Sequence, residues 1–233
     1  MITVGFAIRQ VAAFVCAGTL AWDYCRDPEV LGNFAIWTLL VHFAYFQLPL
    51  RSQALPYLHP ASFIGACLMP VMYVLMWVWS PSIETIHMEQ WDQSWKTVVV
   101  RALLINLAPL VFHMLDISVN RKHIINEYKS KPKKLGLLWS FCSFPLLGLL
   151  FELFFPESEE LNDLREIDRE SFLKLNQVVC FVALLMSFAV LYLLVLRRAI
   201  QGKVNSGHNL SNHLADRNSP RHAGLGSSSN SPH

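Results

Sequence analysis

The sequence predicts an all-α integral membrane bundle of six transmembrane helices with both termini cytoplasmic. Three observations lead there: an apolar composition, six apolar windows of bilayer length, and loops whose charge alternates in sign. Of the 233 residues 53% are hydrophobic and only 15% are charged, where soluble domains carry about 25% charge. The mean hydropathy is +0.35.

Crossing a hydrocarbon core of about 30 Å takes about 20 apolar residues. Windows at 4–22, 31–50, 61–80, 98–117, 135–155 and 175–196 meet that length, longer than the usual buried helix of a soluble protein. The first has no basic leader ahead of its apolar run and no small-residue cleavage site after it, so it reads as a retained helix. The second holds Thr38 and His42, and the fourth holds Asn106, His113 and Asp116. Residues 1–203 form the membrane domain. Residues 204–233, rich in Ser, Asn, Gly and His with little to bury, form a disordered cytoplasmic tail.

The loop after the fourth window carries Arg121, Lys122, Lys129, Lys131, Lys133 and Lys134, and the sixth window ends in Arg197, Arg198 and Lys203. The positive-inside rule makes these ends cytoplasmic. Loops after the first, third and fifth windows carry acidic residues, including PESEELNDLREIDRE at 156–170, and fall on the opposite side.

The basic loop is a topology signal beside an anionic leaflet, so no nucleic-acid partner is expected. The acidic loop lacks the Gly and the alternating oxygen ligands of a calcium loop. Cys16, Cys25, Cys67, Cys142 and Cys180 show no ligand or disulfide spacing, and no phosphate loop, nucleophile elbow or zinc-helix motif is present. No metal or other cofactor is expected. The sequon at Asn209 lies in the cytoplasmic tail, out of reach of glycosylation.

Ionisable groups at membrane depth are costly and usually functional, which directs attention to the second and fourth windows. Thr38 and His42 stand one turn apart on one helical face. Asn106 and His113 are seven residues apart, an offset of about 20° around the axis, and Asp116 lies nearly on the same face. Both helices run in the same direction, which puts Thr38 level with Asn106 and His42 within about a turn of His113.

A shared polar cavity follows, open to four readings. Interhelical hydrogen bonds alone would make the group structural. A Thr nucleophile with a His base would make it catalytic. His42 and His113 as haem ligands would require facing rings and a second shell. A transporter would place a midplane site between repeats with broken helices; Pro49, Pro70, Pro109 and Pro145 could break helices, but the sequence shows no internal repeat.

The segments FAIWTLLVHFAYF and INLAPLVFHMLDISVNRK resemble the second and fourth helices of the androgen-induced protein and rolling-stone family of six-helix membrane proteins. In that family a second-helix Thr is followed two residues later by Trp and then by an aromatic pair. A fourth-helix His precedes an acidic residue by ten positions. The resemblance covers most of residues 31–196. It implies a membrane lipid or fatty-acid ester as ligand, since some members are intramembrane threonine hydrolases of fatty acid esters of hydroxy fatty acids. Other members, of the rolling-stone type, imply a non-enzymatic cell-surface role such as in myoblast fusion.

Aligned on Trp37, Tyr45 and Phe46, the family's Thr position is Ala35; aligned on Asp116, its His position is Asn106. Both expected catalytic types are replaced, and a neutral Asn is no general base. The expectation is therefore a lipid or lipid-ester pocket lined by Ala35, Trp37, His42, Tyr45, Phe46, Asn106 and Asp116. It is either catalytically degenerate or served by a relocated pair, Thr38 and His113. The membrane expected is the endoplasmic reticulum, elsewhere in the endomembrane system, or the plasma membrane.

Overall fold

The computed structural model describes residues 4–26, 31, 33–79, 94–129, 133–154 and 169–200. All of the regular structure among them is helical. In chain order the helices are α1 (Val4–Arg26), α2 (Phe34–Gln47), α3 (Leu55–Trp79), α4 (Trp95–Lys129), α5 (Lys133–Phe154) and α6 (Arg169–Leu191, continued by a π turn at Tyr192–Leu196). Four of them contain stretches long and apolar enough to cross a membrane: Val4–Arg26, Leu55–Leu75, Trp95–Lys129 and Gln177–Ile200. The tail, the acidic loop at 156–168 and the sequon lie outside the described residues.

Helix α2 is shorter than its apolar window because both ends are punctuated. The Asn33 side chain accepts a hydrogen bond from the Ala35 N–H at 2.8 Å and caps the start. Pro49 drives Leu48 out of the helical region, to φ −64° and ψ 136°, and ends it. Fourteen residues result, rising about 21 Å.

Helix α4 is longer than its window, 35 residues, and changes pitch at a π turn, Leu103–Leu107. The cause lies in Pro109, which has no N–H for the carbonyl of Ile105; the widened turn, with Ala108 N–H bonded to Leu103 O, absorbs the lost bond. A second π turn, in α6, leaves the Leu194 carbonyl to the Arg121 side chain, whose Nε and Nη2 donate to it at 3.2 and 2.9 Å.

Helix α3 packs against α2, α4, α5 and α6, while α1 packs on α2 and α4. Gly5 makes the α1–α4 approach close enough that a Cβ there would collide with the Asn120 amide. Asn120 touches the start of α1 and Arg121 the end of α6, so these two termini of the helical bundle share one end with the C-terminal half of α4. At the other end Arg101 Nε donates to Asp23 Oδ1 at 2.8 Å, joining the end of α1 to the start of α4.

Polarity is inverted relative to a soluble protein. Phe14, Leu153, Phe181, Met186 and Leu193 are more than half exposed, whereas Arg9, His42, His59, Ser62, His113 and Asp116 are buried at 2% or less. Apolar side chains facing outward and polar ones gathered inside are what hydrocarbon solvent demands. The chain is a membrane-embedded helical protein.

Candidate functional site

The polar residues of the interior meet where α1, α2, α3 and α4 converge, in two connected groups. One is an ion pair. Arg9 Nη1 donates to Asp116 Oδ2 at 2.7 Å, with the two side chains 3% and 0% exposed. Arg9 Nη2 also donates to Tyr45 O at 2.6 Å and Leu48 O at 2.9 Å. Those carbonyls belong to the end of α2, where Pro49 offers no N–H and the Leu48 N–H donates to Tyr45 O at 3.2 Å, so the guanidinium adds to the cap of a helix while it neutralises a carboxylate. Asp116 also accepts from the Tyr45 hydroxyl and, through Oδ1, from Asn120 Nδ2 at 2.6 Å. The carboxylate and the guanidinium thereby meet the condition under which a buried pair is tolerated.

The other group is neutral and centred on Ser62 of α3. Its Oγ lies 2.8 Å from His42 Nδ1 on α2 and 2.7 Å from His113 Nε2 on α4. Ser62 and His113 are wholly buried and His42 is 1% exposed. Tyr45 stacks on the His113 ring at 4.9 Å with planes 23° apart, Phe46 lies at 4.9 Å from it and Phe63 meets it edge-on. Tyr45 thus links the two groups, bonded to Asp116 by its hydroxyl and stacked on His113 by its ring. Close approach on the far side depends on Gly65, where a Cβ would sit 3.0 Å from Phe144 and 3.6 Å from His42 Cε1.

The hydroxyl of Ser62 has a single proton to give. If it donates to His113 Nε2, then His42 Nδ1–H must donate to Oγ; if it donates to His42, the roles reverse. In the first arrangement a neutral His113 is a base in contact with a hydroxyl whose other lone pair is already held. A nucleophile within hydrogen-bond reach of an imidazole is the requirement for acyl transfer.

The residues expected from the sequence separate on this geometry. His42, Tyr45, Phe46, His113 and Asp116 come together in the interior. Thr38, though only 2% exposed, donates its hydroxyl to Ala35 O at 2.7 Å, the back-bond of a helical threonine, and the hydrogen bond of His113 goes to Ser62 instead. Asn106 likewise donates to its own helix, to Ala102 O at 3.0 Å. Ala35 packs against the core as a partly buried residue. Trp37 is peripheral, donating to Leu31 O and stacking on the exposed Phe154. Facing imidazoles do occur, His42 and His113 with ring centroids 5.4 Å apart, but no group of three or more metal-ligating side chains among the described residues could hold a metal ion.

Ser62, Arg9, His59 and Asn120 belong to the interior and were not singled out by sequence reasoning. Arg9 was detectable: it is a charge inside an apolar window. Ser62 carries no such signal, because a serine in an apolar helix commonly bonds back to its own turn.

Comparison with protein-family models, curated proteins and solved structures finds no match to this chain. The functional reading rests on the geometry.

Proposed function

We propose that the chain is a six-span membrane protein with cytoplasmic termini that hydrolyses a membrane lipid ester, with Ser62 as nucleophile and His113 as base. The observation that carries this reading is the 2.7 Å contact of Ser62 Oγ with His113 Nε2 inside a buried polar cluster of a membrane-embedded bundle. The Oγ–carbonyl carbon bond forms as the hydroxyl proton passes to His113 Nε2. The ester C–O bond then breaks, and His113 returns that proton to the leaving oxygen. Water subsequently attacks the acyl carbon and releases the acid. His42 holds the Oγ from its other side. The apolar surroundings, with Tyr45, Phe46 and Phe63 around His113, suit an acyl chain delivered from the bilayer. The androgen-induced and rolling-stone resemblance of α2 and α4 points to the same substrate class, although the residue in contact with His113 is a serine on α3 and not a threonine on α2.

The orientation is supported by the shared end of α1, α4 and α6, which is the end bearing Lys122, Lys129, Arg197 and Arg198. Cys25, the exposed cysteine near the end of α1, then lies on the lumenal or outer side. In sealed vesicles with the cytoplasmic face outward, a membrane-impermeant maleimide labels wild type and Cys25→Ser equally until detergent is added. Cys25-dependent labelling of intact vesicles would overturn the orientation.

The activity is tested with purified protein in detergent and a fluorophosphonate probe. Wild type and Thr38→Ala are expected to label, and Ser62→Ala is not. Labelling that survives Ser62→Ala, or that disappears equally in Thr38→Ala, rejects Ser62 as the nucleophile.

A further inference from the structure

Ser62 and His113 are wholly buried and His42 is nearly so, so a substrate reaches the Ser62 hydroxyl only where a covering side chain gives way. Toward α1, α2 and α4 the cover is fastened by polar bonds, those of Arg9 to Asp116 and to the Tyr45 and Leu48 carbonyls and those of His42 and His113 to Ser62. Toward α5 the cover is an aromatic ring. Two atoms of the Phe144 ring lie 3.0 and 3.4 Å from the point that a Cβ on Gly65 would occupy, and His42 Cε1 lies 3.6 Å from the same point. The ring thus fills the notch that the missing side chain of Gly65 leaves beside the cluster, and Phe34 of α2 meets it edge-on at 5.7 Å. Its outer side is not enclosed: Phe144 is half-buried, and Pro145 and Leu146, next in the chain, are exposed. Phe144 therefore spans from the lipid-facing side of α5 to the edge of the His42 ring.

The segment that follows it is weakly held. Pro145 has no N–H for the Phe141 carbonyl, so the helical ladder is interrupted directly after Phe144. Before that break α5 is fastened to α3 by Trp139 Nε1, which donates to Tyr57 O at 2.8 Å. After it the described side chains, at 146–150 and 153–154, are all apolar and offer packing but no polar bond. A Cβ on Gly148 would meet nothing within 4 Å, and Trp37 of α2 stacks on the exposed Phe154. Lipid chains are as apolar as these side chains, so they replace such packing at little cost.

We infer that the notch at Gly65 is an acyl-chain slot, closed by the Phe144 ring and entered from the bilayer between α2 and α5. The chain takes the place of the ring as Phe144 swings outward. A ring and a polymethylene chain are each one carbon layer thick, with neighbours at about 3.5–4.0 Å, so the chain fills what the ring vacates. Position along α3 agrees. Gly65 lies about 4.5 Å of helix beyond Ser62, on the side away from the α2–α3 turn; an ester at the Ser62 hydroxyl with its headgroup toward that turn runs its chain past Gly65. Phe144 and Gly65 then determine which chains enter and take no part in the chemistry. This inference rests on the reading of the Ser62 cluster as a lipid-ester site and adds the route and the seat of the chain.

The test uses the full chain in nanodiscs containing a phosphocholine lipid with ether-linked chains, one of which carries a diazirine at its middle. After irradiation, labelled peptides are located by mass spectrometry. Removing the plug turns a minor open state into a well-populated one, so Phe144→Ala is expected to raise labelling of the α2 and α3 peptides that contain His42 and Gly65 by about tenfold. Phe144→Leu, a milder truncation that serves where the alanine variant does not stay monodisperse, is expected to raise it several-fold. Gly65→Leu combined with Phe144→Ala refills the notch from its other wall and is expected to return labelling to near the wild-type level. Phe181→Ala, which removes an exposed ring from α6, is expected to leave it unchanged. Three outcomes would each overturn the slot: labelling unchanged in both Phe144 variants, an equal rise in Phe181→Ala, or a double variant labelled as heavily as Phe144→Ala. An ether lipid offers no ester to hydrolyse, so failure of the slot and failure of the Ser62 chemistry are separately visible.

Discussion

Asp116→Leu is expected to lower the stability of the folded protein by about 3–5 kcal/mol, the cost of leaving one member of a buried ion pair without its partner. The orphan would be Arg9, 2% exposed in the interior. The same change strands the Tyr45 hydroxyl and the Asn120 amide, both of which donate to the carboxylate, so the upper part of the range applies. The double variant Arg9→Met with Asp116→Leu is expected to recover much of the loss, because apolar groups of similar volume can replace a buried pair with little penalty. Recovery should stop short of wild type, since Arg9 also caps the Tyr45 and Leu48 carbonyls. Thermal unfolding in detergent, followed by the loss of monodisperse protein, measures both. A single variant as stable as wild type, or a double variant worse than Asp116→Leu alone, would show that the pair is not what holds α1, α2 and α4 together.

Ser62→Ala is expected to abolish lipid-ester turnover, with a loss of at least about 10³-fold in kcat, and His113→Gln is expected to fall as far. Groups that act as a unit lose activity once and not twice; the double variant should therefore be no slower than either single one. Thr38→Ala, which removes a hydroxyl engaged only with its own helix, should keep kcat within about a factor of two. The measurement is release of fatty acid from a fluorogenic acyl ester in mixed micelles. Because Ser62 also satisfies one nitrogen on each of two histidines, Ser62→Ala carries a stability cost of about 1–3 kcal/mol. Turnover is accordingly compared well below the unfolding temperature of each variant.

Each apolar window overlaps a helix, and four of these helices hold a stretch long and apolar enough to cross a membrane. Where they differ, local chemistry decides. Asn33 and Pro49 cut α2 back to Phe34–Gln47, and α4 runs on past its window to Lys129 because Ile124, Ile125 and Tyr128 find burial beyond the apolar run. The interior polar face was legible in part: His42, His113 and Asp116 stand together as their spacing implies. Asn106 does not join them, and the π turn supplies the reason. A seven-residue interval repeats a face only on an uninterrupted α-helix, and Asn106 sits inside the widened turn forced by Pro109. The partners were not legible. Arg9 and Asp116 are 107 residues apart and Ser62 and His113 are 51 apart, and no helical period in one sequence specifies which faces of different helices meet.

Helix α2 has a consequence for the bilayer itself. In the proposed six-span arrangement, about 21 Å of rise against a core of about 30 Å would leave this flank of the bundle mismatched to its solvent, with the lipids beside it thinned or tilted to cover it. Seven residues, about 10 Å of helix, separate Ser62 from Leu55 at the start of α3. Thinning draws the headgroup layer inward at that same edge, where the α2–α3 turn emerges. Under the proposed hydrolysis, this thinning would bring the acyl-ester linkages of the adjoining leaflet toward the depth of Ser62, and water with them. A bilayer of about 27 Å would be deformed less by such a flank than one of about 32–33 Å, so under this proposal a preference for a thin membrane and access to the serine would both follow from the same short helix.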